Sequence, residues 1–258
     1  YVEGDGTVAD TDHLRGKVDA GVGLFVDDAT DVTWLTAVGF GESERDAVTA
    51  AIQTLRNGYD LEASMFASVW EDWHENCHGC PLDDAFATGA YERSLTSMKC
   101  AQDRRGGIVA GAFKPQEFAY RFVWPRDLVV IVQALLAAGA DAEARHALDW
   151  LAEAQITEEV TDARGIERRG TWWQNYYADW EPHWRALQLD QVGGPIYAHW
   201  LCWRETGDRS LLDAYYEMSR DAADFLLDWD DGGFPKPHQD PWEEIWGRTT
   251  EGSAAAIA

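Results

Sequence analysis

Positive charge is scarce in this sequence. Its 258 residues hold 21 Lys and Arg against 46 Asp and Glu, a formal net charge of −25, and Lys17, Lys99, Lys114 and Lys236 are the only lysines. Such a polyanion repels nucleic acid and anionic membranes, so neither is an expected partner. No apolar run approaches the ~20 residues of a membrane-spanning helix. No signal peptide is visible, nor would a fragment show one. Cysteine is also sparse, at four residues. The segment His74-Glu75-Asn76-Cys77-His78-Gly79-Cys80 has one C-x₂-C with two histidines nearby. A closed zinc site needs a second ligand pair, which the sequence lacks. The thiols are read as unligated or redox-labile, and no metal or cofactor is expected.

With 46% hydrophobic residues, the acidity is not that of a disordered chain. It is read as adaptation to high salt, where screening removes self-repulsion. The thermal midpoint is therefore expected to rise between low and molar KCl, and a flat salt response would sink the halophilic reading. The compartment stays open between the cytoplasm of a salt-accumulating cell and secretion, and the oligomeric state is undetermined. The sequence starts at Tyr1 and ends in the apolar run Ser253–Ala258, which reads as a helix cut mid-course. A fragment of a longer polypeptide is the expectation.

Tryptophan is abundant, at 14 residues. Two of them flank adjacent carboxylates in Asp240-Pro241-Trp242-Glu243-Glu244-Ile245-Trp246. An indole face stacks on sugar rings. A carboxyl pressed against apolar rings has its pKa raised, because desolvation disfavours the charged form. A glutamic acid held protonated in this way can donate to a leaving oxygen. The stretch therefore suggests a general acid for glycoside cleavage.

Residues 14–40 read as strands, with Gly21–Val26 and Val32–Val38 separated by the turn-like Asp27–Asp31. Helices are expected at 44–57, opened by a capping box of Ser43 with Asp46, and at 60–75. Further half-buried helices are expected at 83–102, at 141–155 (with Ala147, Trp150, Leu151 and Ala154 on one face) and at 209–229. In the last, Leu211, Tyr215, Met218, Ala222, Phe225 and Trp229 form one stripe. Leu128–Ala138 and Val192–Trp203 are apolar nearly all round and so are expected to be buried on every side. Half-buried and buried helices alternate, which implies two concentric layers. An incomplete barrel would leave an apolar edge of Val192–Trp203, and of the helix after Thr250, uncovered.

The loop entering each inner helix carries tryptophan and acid: Trp124-Pro125-Arg126-Asp127, Trp184–Asp190 and Trp242-Glu243-Glu244. The three tryptophans are 60 and 58 residues apart, the period of one outer-plus-inner helix pair. Parallel inner helices would bring all three loops to one end of the barrel. The acidic linker 157–165 leads to Arg168-Arg169-Gly170-Thr171-Trp172-Trp173, read as loop packing with a pocket rim as the alternative.

Tyr120–Asp127, Trp184–Asp190 and Trp242–Glu244, in this order and spacing, resemble the signature loops of glycoside hydrolase family 15, the glucoamylases and glucodextranases. The resemblance covers roughly residues 34–258. It implies an all-α fold, an (α/α)₆ barrel present here as the first half or slightly more, preceded by the last strands of a β-sandwich. The implied division is 1–42 sandwich, 43–82 linker helices and 83–258 partial barrel. It implies an exo-acting, inverting hydrolase that releases glucose from the non-reducing ends of α-glucan oligo- or polysaccharides.

The resemblance also implies roles. Glu243 is the general acid, and Glu244 and Trp242 contact the sugar on the leaving-group side. Arg126 and Asp127 bind the hydroxyls of the terminal glucose, with Tyr120 and Trp124 in the same wall. Trp184 stacks over the scissile linkage, with Gln188 and Asp190 nearby. No segment matches the family's general base, so that group is expected beyond Ala258 and this chain alone is expected to be inactive. Pro241 departs from the Leu or Met frequent before Trp-Glu-Glu. A trehalase-type member and a non-catalytic carbohydrate-binding remnant are the alternatives.

Overall fold

The computed structural model describes residues 35–111 and 120–257. The first predicted strand lies outside them. Of the second, residues 35–38 are described and form no ladder. Nine helices are found among the described residues: α1 (Glu44–Asn57), α2 (Tyr59–Asn76), α3 (Ala85–Ala101), α4 (Pro125–Ala137), α5 (Asp141–Ala154), α6 (Asp190–Thr206), α7 (Ser210–Ala214), α8 (Tyr216–Asp228) and α9 (Thr250–Ile257). One hairpin, β1 (His238–Gln239) with β2 (Trp246–Gly247), stands between α8 and α9. The described residues divide into two compact units, with the boundary between Val69 and Trp70 inside α2.

In the first unit α1 begins as the sequence predicts, with the Asp46 amide donating to Ser43 Oγ at 3.2 Å. The reciprocal arm of a capping box differs. Asp46 is one methylene shorter than Glu, and its carboxylate accepts from the Ser43 hydroxyl at 2.7 Å.

The second unit is two layers of helices. α4, α6 and α9 form an inner row, with α6 packed between the other two. α5 backs α4 and α6, and α8 backs α6. The period-derived faces are the ones that pack: Ala147, Trp150, Leu151 and Ala154 of α5 are buried, as are Leu211, Tyr215, Met218, Ala222 and Phe225. α3 is tied to α5 by Lys99 Nζ on Glu143 Oε1 at 2.5 Å, and Trp73 Nε1 donates to the same oxygen at 3.0 Å.

Two expectations are corrected. The helix predicted over 209–229 is broken between α7 and α8 at Tyr215, whose φ is −114°. That residue is buried and its hydroxyl donates to Asp149 Oδ1 of α5 at 2.6 Å. A buried anchor on a neighbouring helix here outweighs local helical continuity. Nor are α4 and α6 buried on every side. Val130 of α4 and Tyr197 and Trp200 of α6 are exposed. Tyr197 and Trp200 open onto a cavity of about 980 Å³ whose lining also includes Leu226 and Leu227 of α8 and Ala255 and Ala256 of α9. An uncovered α6 edge is what the sequence predicts for an incomplete barrel.

α6 and α9 cross at a glycine. A Cβ on Gly193 would lie 2.1 Å from the Ala255 carbonyl oxygen, which is backbone and cannot swing aside. Gly193→Ala is therefore expected to force the helices apart and cost about 1–3 kcal/mol, as overpacking does. Denaturant unfolding checks this, and an unchanged midpoint would show that α9 does not pack on α6.

Candidate functional site

Three short segments lie side by side at the entry to the inner helices. Val123 and Tyr176 exchange backbone hydrogen bonds at 2.8 and 3.0 Å, and Tyr176 also bridges Pro182. The segment 175–177 thus runs between the first signature loop and the second. It brings together rings distant in sequence. Tyr120 and Phe122 each stand 5.9 Å from Trp124, and Trp124 meets Trp184 edge-on at 6.1 Å. Phe122 stacks on His183 at 4.0 Å and 12°. Trp124 is buried, whereas Trp184 is 37% exposed and Tyr120 is exposed. A wall of aromatic faces at a loop cluster suits a flat, partly apolar ligand such as a sugar ring.

Polar groups stand beside this wall. Pro125 occupies the first turn of α4, where its missing N–H costs nothing. Asp127 and Asp190 lie in the first turns of α4 and α6, where the free N–H ends favour carboxylates. Arg126 Nη1 donates to Asp190 Oδ2 at 2.7 Å, and its Nε lies 3.9 Å from Asp127 Oδ2. Burial raises the Asp127 pKa above the usual carboxylate value, and Arg126 offsets that in part.

Gln188 joins all three loops. It is buried, its Oε1 accepts from Arg126 Nη1 at 3.5 Å, and its Nε2 donates to the Asp240 carbonyl at 2.8 Å. Gln191 donates to the same Oε1 and accepts from the Arg126 amide at 3.3 Å. The Gln239 amide donates to the Leu187 carbonyl at 2.9 Å, a second tie between the second and third loops. The loops predicted from the tryptophan spacing therefore meet at one end of the inner row.

The third loop is the tip of the β1–β2 hairpin. Buried Asp240 organises it: Oδ1 accepts from the Glu244 and Ile245 amides at 2.9 and 2.7 Å, and its carbonyl accepts from the Glu243 amide at 3.0 Å. Glu243 sits at φ 67°, a left-handed conformation that costs a non-glycine residue about 1–2 kcal/mol. Such strain persists only where surrounding bonds over-determine it, and it clusters at functional sites.

One expectation is not met at this tip. The sequence predicts a carboxyl pressed against indole rings, but Trp242 is 82% exposed and Glu243 and Glu244 are exposed. Trp246 turns away, half-buried with the Arg164 guanidinium 4.0 Å from its ring centre. Proximity in sequence does not put a ring over its neighbour's carboxylate, because a hairpin tip points successive side chains apart.

Linker residues Trp172 and Trp173 are buried, with Trp172 Nε1 donating to the Leu151 carbonyl at 2.8 Å. They pack rather than line a rim. Sequence reasoning missed the buried connectors Gln191, Asp240 and Asn175. The only signal was local for Asp240, an acidic residue with two amides to accept four and five residues on. All four cysteines are free, and burial pushes the Cys202 thiol up to about 12. Among the described residues no group of three or more His, Cys, Asp or Glu is placed to hold a metal ion.

Known proteins carry related sequences. A family model described as Glycosyl hydrolases family 15 matches residues 85–258, and one described as Glucodextranase, domain N matches residues 7–75. A glucoamylase of Clostridium sp. (strain G0005) is 29% identical over 231 residues, covering 86% of this chain and 29% of that protein. An uncharacterized glycosyl hydrolase of Methanocaldococcus jannaschii is 29% identical over 160 residues, covering 60% of this chain and 23% of its own length. Among solved structures, a bacterial glucoamylase complexed with acarbose superposes with a TM-score of 0.65 at 26% identity, covering 84% of this chain and 30% of that one. The chain thus spans less than a third of the length of these relatives.

Proposed function

Because the chain belongs to glycosyl hydrolase family 15, with an all-α fold that forms part of an (α/α)₆ barrel, we propose that the whole protein is an exo-acting, inverting hydrolase of the glucoamylase type. It releases glucose from the non-reducing ends of α-glucans. The observation that carries this reading is the Arg126–Gln188–Asp240 relay, which gathers three tryptophan-bearing loops into one site.

In this reading Arg126 and Asp127 bind the hydroxyls of the terminal glucose. A forked cation and an acceptor carboxylate match groups that both donate and accept. Trp124 and Tyr120 wall that subsite, and Trp184 stacks over the linkage. Glu243 protonates the glycosidic oxygen while Trp242 and Glu244 contact the leaving sugar. The exposure of Trp242 and Glu243 leaves both side chains open to an incoming substrate. Inversion needs a second carboxylate to activate water on the opposite face of the sugar. Asp190 is held by Arg126 and is not that base. No described carboxylate is assigned to the role, so the 258-residue chain by itself is expected to turn over no substrate.

The exposure of Glu243 also favours a second reading, a carbohydrate-binding chain that keeps the glucose subsite without turnover. Incubating the full-length protein with maltotriose, isomaltotriose and trehalose separates the two. Glucose released one unit at a time from the non-reducing end supports the hydrolase, and the sugar cleaved reports the linkage. Binding without release supports the second reading, and neither binding nor release removes both.

A further inference from the structure

We propose that Asn175 is a positioning residue for Trp184, setting where the stacking wall stands. This inference rests on the sugar-site reading only for its consequence in turnover.

Asn175 is fully buried, yet it lies beside the exposed wall. Its Oδ1 accepts from the Trp184 amide at 2.9 Å and lies 3.2 Å from His183 Nδ1. Its backbone pairs with the same two residues: the His183 amide donates to its carbonyl at 3.0 Å, and its own amide reaches the Trp184 carbonyl at 3.4 Å. One residue therefore holds the dipeptide that carries the wall, through backbone and side chain together.

The support behind Asn175 is stiff. Next to it, Tyr176 pairs with Val123 in the first loop. The Tyr176 hydroxyl accepts from the Trp173 amide at 2.7 Å and donates to the Ala154 carbonyl of α5 at 3.0 Å. Its ring meets Trp150 edge-on at 5.5 Å. Position is thus passed from α5 through Tyr176 and Asn175 to Trp184, and from there to Trp124. His183, clamped by the same Oδ1, stacks on Phe122 and closes the circuit between the two loops. A wall misplaced by an ångström loses much of the benefit of orientation.

Asn175 Nδ2 has no hydrogen-bond partner among the described residues. Both side-chain contacts of Asn175 with the wall dipeptide run through its oxygen.

The test is a double-mutant cycle in the full-length protein, with maltotriose as the substrate. Asn175→Ala is expected to lower kcat/KM about tenfold. Added to Trp184→Ala, it is expected to cost less than a further twofold, because the group it positions is gone. Fully multiplicative losses would overturn the inference. A readout independent of turnover uses ¹⁵N-labelled tryptophan. The indole resonance missing from Trp184→Phe is expected to shift or broaden in Asn175→Ala, with the thermal midpoint and the other indoles as controls for the fold. An unmoved resonance sinks the inference and leaves the hydrolase reading intact. If the wild-type protein cleaves no glucan, the hydrolase reading fails and the resonance alone decides Asn175.

Discussion

Glu243→Gln in the full-length protein is expected to lower kcat on α-glucan oligosaccharides by about 10²–10⁴-fold, the usual contribution of a positioned proton donor, with KM nearly unchanged. The amide keeps the size and hydrogen-bonding reach of the acid but cannot deliver a proton to the departing oxygen. A fall in kcat with KM preserved marks an interaction made in the transition state rather than on binding. The backbone supplies an internal control. Glu243 holds φ 67° because its amide and those of Glu244 and Ile245 are all tied to Asp240. Glycine adopts that conformation without steric cost. Glu243→Gly is therefore expected to fold with stability unchanged or up to about 1 kcal/mol higher, while losing the same activity. Strain maintained at an exposed carboxylate then has a use. Activity surviving in Glu243→Gln would show that Glu243 is not the acid.

The second large effect is expected at Arg168. Its side chain is 0% exposed and faces the nearly buried Asp162 at 3.2 Å. Nη1 also donates to the Arg185 carbonyl at 2.9 Å, Nη2 to the Trp172 carbonyl at 2.7 Å and Nε to Thr171 Oγ1 at 3.1 Å. The Trp173 ring centre lies 4.7 Å from this guanidinium and 5.2 Å from that of Arg185. Burial pushes the Arg168 pKa down, and Asp162 opposes it. Arg168→Met fills part of the space but takes this donor from the nearly buried Asp162 carboxylate, the buried Trp172 carbonyl and the part-buried Arg185 carbonyl. Removing one partner of a buried pair costs about 3–5 kcal/mol. Lysine is no remedy, since one ammonium cannot replace a planar fork serving four acceptors. Denaturant unfolding measures the loss, and a change below about 1 kcal/mol would mean the pair stabilises no more than surface ion pairs do. The Arg185 carbonyl follows directly after Trp184, so the same change is expected to loosen the second loop.

Much of the second unit is legible in the sequence because its signals are periodic. The stripe on α5 is an i, i+3, i+4 pattern, and Trp124, Trp184 and Trp242 mark a repeat of helix pairs. Both survive as packed faces and as a loop cluster. Gln188, Gln191 and Asn175 are polar residues buried by tertiary contacts, and no local pattern separates them from surface amides. Tyr215 fits the helical stripe, so the break it makes is invisible until Asp149 stands opposite. The exposure of Glu243 was missed for the same reason: adjacency to Trp242 and Trp246 fixes composition but not direction, and a two-residue ladder with a strained tip decides direction. The predicted β-sandwich strands fall mostly outside the described residues.

Inversion by a protonating Glu243 is decided by following the anomer of released glucose by proton NMR as full-length protein hydrolyses maltotriose. β-Glucose is expected as the first product of the wild-type protein, with no comparable signal from Glu243→Gln. α-Glucose appearing first, or equal release from Glu243→Gln, would contradict it.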